Sequence, residues 1–450
     1  MSESITRKTF PTGFQNAYWF AVFNAFSFQI ILGSPMVLYA KKLGASATVL
    51  GIIASLMPLL VIFQIPAAGY LPQVGFRRFV YGGWGIRVTF IFLMALVPLA
   101  GGFLDPSTQL ALLLLLLFGF NLSRGISSCA WMPWITALVP EHARGQYLAR
   151  DAALVNASSF VTFVLAALCL GGSPASWQFS GIFLFSAMAG AASLTFLKKM
   201  PDVPVPPEPK TTVMTVPWLA MLRHPPFYKL LVTAVFWSIA SGGLPVFTVA
   251  YLKSEVRFSE ATVLLITSIS YLGGLGSLWF FGRRFDTMGS KPVLGIGLLV
   301  WLLILAAWVM IAGGLLAPAL PLLLLLHALT GLFGAACQTA ISRLAMVVIP
   351  AMGRNHFFAL FSVGSSLALG LSPIGWGLLI DAVGSHATMA GAVSVNRYSL
   401  FYLGVWLALL AALFATRRLE EPKAASMEAL LREMLLHSPR RVWIRLWPRI

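Results

Sequence analysis

Apolar positions in this chain come in unbroken runs of about 20 residues, parted by short polar stretches. A helix of that length crosses a hydrocarbon layer of roughly 30 Å. Runs such as LALLLLLLFGF (110–120) lack the period-two alternation of a lipid-exposed barrel strand. In lipid each backbone amide needs an internal partner, so these runs are helices. Twelve are expected, near 14–40, 46–68, 79–101, 108–138, 152–172, 177–197, 227–252, 260–281, 292–313, 319–347, 357–380 and 398–416. The fold class is all-α, a polytopic membrane bundle.

Composition agrees with that reading. The 450 residues are 58% hydrophobic and 10% charged, with mean hydropathy +0.85, whereas a soluble domain carries about 25% charged residues. The first run starts near Gly13, is too long for a signal-peptide core, and lacks a small-residue cleavage site. Cys129, Cys169 and Cys337 lie within apolar runs without metal spacing and read as buried, inert thiols.

The net charge of +17 would fit nucleic acid if it were gathered on one surface. Instead it tracks the loops. Of 31 Lys and Arg, 24 fall on the side of the termini and five, Lys41, Lys42, Lys253, Arg257 and Arg397, on the other. Arg87 and Arg124 fall inside spans. The positive-inside rule puts the richer side, with both termini, in the cytoplasm of a cell (inner) membrane. No nucleic-acid partner is expected.

The chain also repeats itself. GSPMVLYA (33–40) returns as GLPVFTVA (243–250), and PEHARGQYLA (140–149) as PAMGRNHFFA (350–359), both at an offset of 210. Between them the offset is 214, which aligns Gly75 with Gly289. The repeat predicts two pseudo-symmetric six-helix bundles, 1–197 and 227–418. A Pro-rich, charged linker over 198–226 joins them, being unable to continue a helix. The tail, 419–450, interleaves basic residues with Trp443 and Trp447. It reads as an amphipathic segment on the anionic inner leaflet, with a partner-binding helix as the other reading.

Between the eighth and ninth runs stands GRRFDTMGSKP (282–292). It resembles the loop signature of the major facilitator superfamily, with Gly282, Asp286, Gly289 and Lys291 matching and Thr287 and Ser290 departing. In the first-half copy, AGYLPQVGFRR (68–78), Gly75 and Arg77 remain and Pro72 takes the Asp position. The resemblance extends to about residue 418 and implies a secondary transporter with a gating loop here. Read physically, the glycines permit a tight reversal between helices, and Asp286 is expected to latch across the interface to Arg144 or Arg150. Pro245, like Pro35, interrupts helical hydrogen bonding and should let a gate bend.

Charge at bilayer depth is costly, so intramembrane polar groups are candidate binding residues. They are Arg124, Asn24, Gln29, Asn121 and Trp237, then Arg87 and His327, the last two with a structural role as the main alternative. No Asp or Glu is expected in mid-span; Asp151 is taken to begin the fifth run and Asp381 to end the eleventh. Ion coupling then uses Asp381 or His327, or is not protonic. With two buried Arg the cavity should be positive, and an anionic or neutral small organic substrate is favoured. The six histidines do not cluster, and no catalytic triad, metal spacing, cofactor motif or nucleotide loop is found. An enzyme is therefore not expected. The chain is read as a monomeric transporter working by alternating access. The alternatives are a drug or efflux exporter, and a non-transporting assembly factor or receptor.

Overall fold

Among the described residues, twelve helices long and apolar enough to cross a membrane follow one another. They are spans 1 to 12: Asn16–Lys42, Ala47–Ala68, Phe76–Gly102, Pro106–Leu138, Arg144–Leu170, Ser176–Lys198, Pro225–Ser254, Glu260–Gly282, Ser290–Ala312, Leu320–Val348, Phe357–Val383 and Arg397–Arg417. This computed structural model describes residues 13–140, 143–205, 218–349, 354–419 and 421, with backbone alone at 218, 220, 283, 284, 286, 287 and 354–356. The tail from residue 422 and most of the linker, 206–217, lie outside the described residues. Within the linker region, Trp218–Leu222 forms a turn of helix before span 7.

An even number of crossings returns both described ends of the chain to one face, here the terminal face. The helices start where the sequence offers caps. Ser46, Asp105, Ser259 and Asn396 each accept a backbone N–H from the first turn that follows, at spans 2, 4, 8 and 12.

The repeat is visible in the backbone. Gly75 (φ 83°) and Gly289 (φ 89°) hold the same left-handed conformation before spans 3 and 9, one that a side chain would strain. Spans 1 and 7 both break at matched glycines, Gly33 and Gly243, with Pro35 and Pro245 opening the outer segments. At the second break, the Ile239 carbonyl accepts the indole N–H of Trp376 at 3.0 Å. The polar group loosened by the break is thereby satisfied.

Spans 1–6 pack as one bundle and 7–12 as the other, meeting where span 2 lies along span 11 and span 5 along span 8. Among the described residues, the hydrogen bonds joining the bundles lie between mid-membrane and the face opposite the termini. They are Ser34–Thr267, Tyr271–Gln29, Ala47 and Thr48 to Asp381, and the Ala261 amide to the Gly171 carbonyl. Nearer the terminal face, a void of about 150 Å³ lies between spans 2 and 11, lined by Leu59, Ile62, Gln64, Ser362 and Ser366.

Three expectations are corrected. Gly282 makes no reversal, because the helix of span 8 runs on to Met288 and only Gly289 turns. Asp151 lies about two turns inside span 5, which starts at Arg144. Of the cysteines only Cys337 is buried; Cys129 is half-buried and Cys169 exposed. Apolar surface can face lipid as readily as core, so hydropathy does not predict burial here.

Candidate functional site: a cavity between the bundles

Beside the two helix breaks is a cavity of about 370 Å³, lined by spans 1, 5, 7, 8, 9 and 10. Its wall is aromatic: Trp237, Trp301, Trp308, Tyr271 and Phe163. Trp237 and Trp301 meet edge to face with centroids 5.0 Å apart, as do Phe163 and Tyr271 at 5.1 Å across the bundle seam. Each such pair contributes about 0.5–1.5 kcal/mol beyond its buried area and fixes ring orientation.

Amides and hydroxyls are set into this wall. Trp237 Nε1 can only donate, so Gln338 presents Oε1 to it at 3.3 Å and keeps its two N–H donors free. The Tyr271 hydroxyl donates to Gln29 Oε1 at 2.9 Å, holding span 8 of one bundle to span 1 of the other. Trp301 Nε1 is buried and has no hydrogen-bond partner among the described residues. His327 Nδ1 lies 2.9 Å from the Leu323 carbonyl. A carbonyl can only accept, so the proton of neutral His327 sits on Nδ1 and Nε2 is left as an acceptor. Among the described residues, no Lys, Arg, Asp or Glu lines the cavity.

The expected binding residues divide into two groups. Gln29, Trp237 and His327 reach this wall. Arg87, Arg124, Asn24 and Asn121 do not line it, so the expectation of a positive cavity does not hold for it. They belong to the first bundle. Asn24 Oδ1 accepts Trp84 Nε1 at 3.1 Å, the Trp84 ring carries the Arg87 guanidinium at 4.5 Å, and Asn121 donates to the Leu117 carbonyl at 2.9 Å. Asn24 thus braces span 1 against span 3.

The cavity also contains residues the sequence reading passed over: Ser34, Thr267, Tyr271, Trp301, Trp308 and Gln338. Part of that wall was legible. His327, Thr330, Gly334 and Gln338 recur at spacings of three, four and four along apolar span 10, which is one helical face.

The expected gating residues have other partners. Arg77 pairs with Asp202 at 3.3 Å, Arg144 donates to the Thr136 carbonyl at 3.2 Å, and Arg150 lies over the Tyr18 ring at 5.2 Å. The Asp286 side chain, and so its latch, lies outside the described residues. Lys291 donates to the Leu419 carbonyl at 2.5 Å, while the Glu421 carboxylate accepts the backbone N–H groups of Ser290 and Lys291. Glu421 therefore caps span 9.

The profile of the Major Facilitator Superfamily matches residues 18–254 and 239–448. The chain belongs to this superfamily. With that membership it is a multi-pass membrane transporter and not an enzyme. Solved superfamily structures share the fold. A D-xylose-proton symporter has a TM-score of 0.71 at 15% identity, covering 92% of this chain and 99% of its own. A mutant form of the nucleoside transporter NupG has 0.70 at 13% identity, covering 90% and 99%. An inward-open form of the xylose transporter XylE from E. coli has 0.68 at 15%, covering 92% and 99%. No curated sequence matches the chain. At such identities the likeness speaks for this superfamily member's fold alone.

Proposed function

We propose that this superfamily member is a secondary transporter that moves an uncharged, polar small organic solute, held in the cavity between the bundles. The observation that carries this is the wall itself: five aromatic rings with amide and hydroxyl groups and no formal charge. Its volume, about 370 Å³, falls in the range of small-ligand sites, about 300–1,000 Å³. Aromatic faces bind the flat or C–H-rich sides of a solute, and Gln338, Gln29, Trp301 and His327 offer directed donors and one acceptor. An anionic solute would find no counter-charge in this wall.

Alternating access fits the same geometry. The seam is bonded on the face opposite the termini and holds a void toward the terminal face. With the positive-inside charge distribution placing the termini in the cytoplasm, this conformation is inward-facing in the inner membrane. Rocking of the bundles about the cavity would then expose it outward.

The test is a thermal-shift screen of the purified full chain against neutral sugars, nucleosides, amides and aromatic solutes, alongside organic anions and cations, followed by uptake of the hit into proteoliposomes. A neutral hit that is transported and loses at least tenfold in affinity in Trp237→Ala bears the proposal out. A hit that binds equally well without Trp237 and Tyr271 overturns the site. Tight binding without uptake or exchange favours the non-transporting receptor.

A further inference from the structure

Among the described residues, two guanidinium groups in the first bundle stand without a counter-ion. Arg87, on span 3, is 4% exposed; its Cζ lies 4.5 Å from the Trp84 ring and 5.0 Å from the Phe120 ring, and its Nε is buried with no hydrogen-bond partner. It lies eleven residues beyond Phe76, the first residue of span 3, or roughly 16 Å along a helix, which is well inside the bilayer. Arg124, on span 4, stands one helical turn beyond Phe120, the residue through which Arg87 meets that span. No hydrogen bond or ion pair to its guanidinium is found among the described residues, and its half-buried position gives it access to water that Arg87 lacks.

The described carboxylates are engaged elsewhere. Asp202, Glu255 and Glu260 pair with Arg77, Arg397 and Lys253. Asp105, Asp381 and Glu421 cap helices, and Asp151 bonds Tyr147. Stacking on Trp84 and Phe120 satisfies the faces of the Arg87 guanidinium but leaves its in-plane Nε–H unmet. Two like charges on adjoining helices of a low-dielectric region, with no acid paired to either among the described residues, call for a negative group.

We propose that Arg87 and Arg124 form a site for one small anionic group, halide-like or carboxylate-like, inside the first bundle and apart from the uncharged cavity. The anion enters past Arg124, satisfies the free donors of both guanidiniums and relieves their repulsion. Occupancy stiffens the contact between spans 3 and 4, where Ser123 Oγ already donates to the Gly83 carbonyl at 2.9 Å. The site does not depend on what the cavity binds.

The experiment measures the unfolding midpoint of the purified full chain in detergent. Sodium chloride or sodium acetate is titrated in, replacing a bulky sulfonate buffer salt at constant ionic strength. A saturable rise of several degrees is expected with at least one of them, and the more effective anion tells halide from carboxylate. The rise is lost in Arg87→Gln and in Arg124→Gln, and Arg87→Lys moves the half-saturating concentration at least tenfold. Trp237→Ala, which removes the cavity's ligand, leaves the anion response intact, so the two readings fail separately. In the sulfonate alone, Arg124→Gln unfolds no lower than the parent, because an unpartnered charge has been removed; a marked drop would mean that Arg124 already has a protein partner and would overturn the proposal. The absence of any saturable response in the parent, or the same response in both Gln variants, overturns it as well.

Discussion

The carboxylate of Asp381, near the end of span 11, accepts the backbone N–H of Thr48, in the first turn of span 2, at 2.7 Å. Its second oxygen accepts the N–H of Ala47 at 3.0 Å. One bundle thereby caps a helix of the other. The carboxylate meets the orphan donors and the positive dipole end of span 2 together, and it can do so only while the seam on this face is shut. A single acid thus links a local capping interaction to the conformation of the whole transporter.

Asp381→Ala should loosen that face. Loss of a cap costs about 1 kcal/mol, which shifts a two-state population roughly fivefold toward the form open on the face opposite the termini. Spin labels at Ser173 and Ser385, exposed on that face in different bundles, should show a new, longer distance in the variant. An unaltered distance distribution would sink the latch.

The same seam depends on backbone contact. A Cβ on Gly51 would lie 2.3 Å from the Pro373 carbonyl oxygen, and one on Gly377 2.5 Å from that of Ala47. Backbone atoms cannot step aside as a flexible side chain does, so Gly51→Val should wedge spans 2 and 11 apart. With the native cysteines replaced by serine, Ser34→Cys should react with an impermeant maleimide at least tenfold faster in the Gly51→Val background. Equal rates would show that the seam opens elsewhere.

Within the cavity, Tyr271→Phe removes the hydroxyl that ties Gln29 to the opposite bundle. A neutral hydrogen bond is worth about 0.5–1.5 kcal/mol net. Affinity for the solute found by screening should fall about three- to tenfold, with the fold intact by circular dichroism. Trp237→Ala removes ring area as well and should cost more. The opposite ranking would place the ligand away from the Trp237–Gln338 pair.

At the start of span 4, Ser107, then Thr108, hydrogen-bond the exposed Asp105 carboxylate and hold its pKa below the ordinary value. The folded protein therefore prefers the ionised form. That contribution to stability is complete above the unfolded-state pKa and fades as pH falls toward the lower folded-state value. Asp105→Asn keeps a capping side chain without the charge, so its unfolding midpoint should fall less than the parent's between pH 6 and pH 3. Parallel pH profiles would remove Asp105 from the account.

Glu421 makes a comparable contact at the terminal face, accepting from Ser290 and Lys291 at the start of span 9. Glu421→Ala should lower the unfolding midpoint by a few degrees and free Lys291, which proteolysis near residue 419 would report. A midpoint equal to the parent's, with unchanged cleavage, would contradict a capping role.

The twelve spans, the duplicated bundles and the matched glycine breaks were legible in the chain. Each follows from local physics: lipid demands internally bonded helices of a set length, and only glycine sits easily at the φ of 83° and 89° found at Gly75 and Gly289. Which polar residues share a site was not legible. Arg124 and Asn121 are separated from Gln29 and His327 because helix rotation about its axis, set by packing, decides which face meets the seam. Asp381 reads as a loop-side acid until span 2 is brought against it from more than 330 residues away. Hydropathy sees depth and length but not azimuth, so the tertiary structure alone could gather an uncharged aromatic cavity on one side and, on the other, two arginines with no ion pair among the described residues.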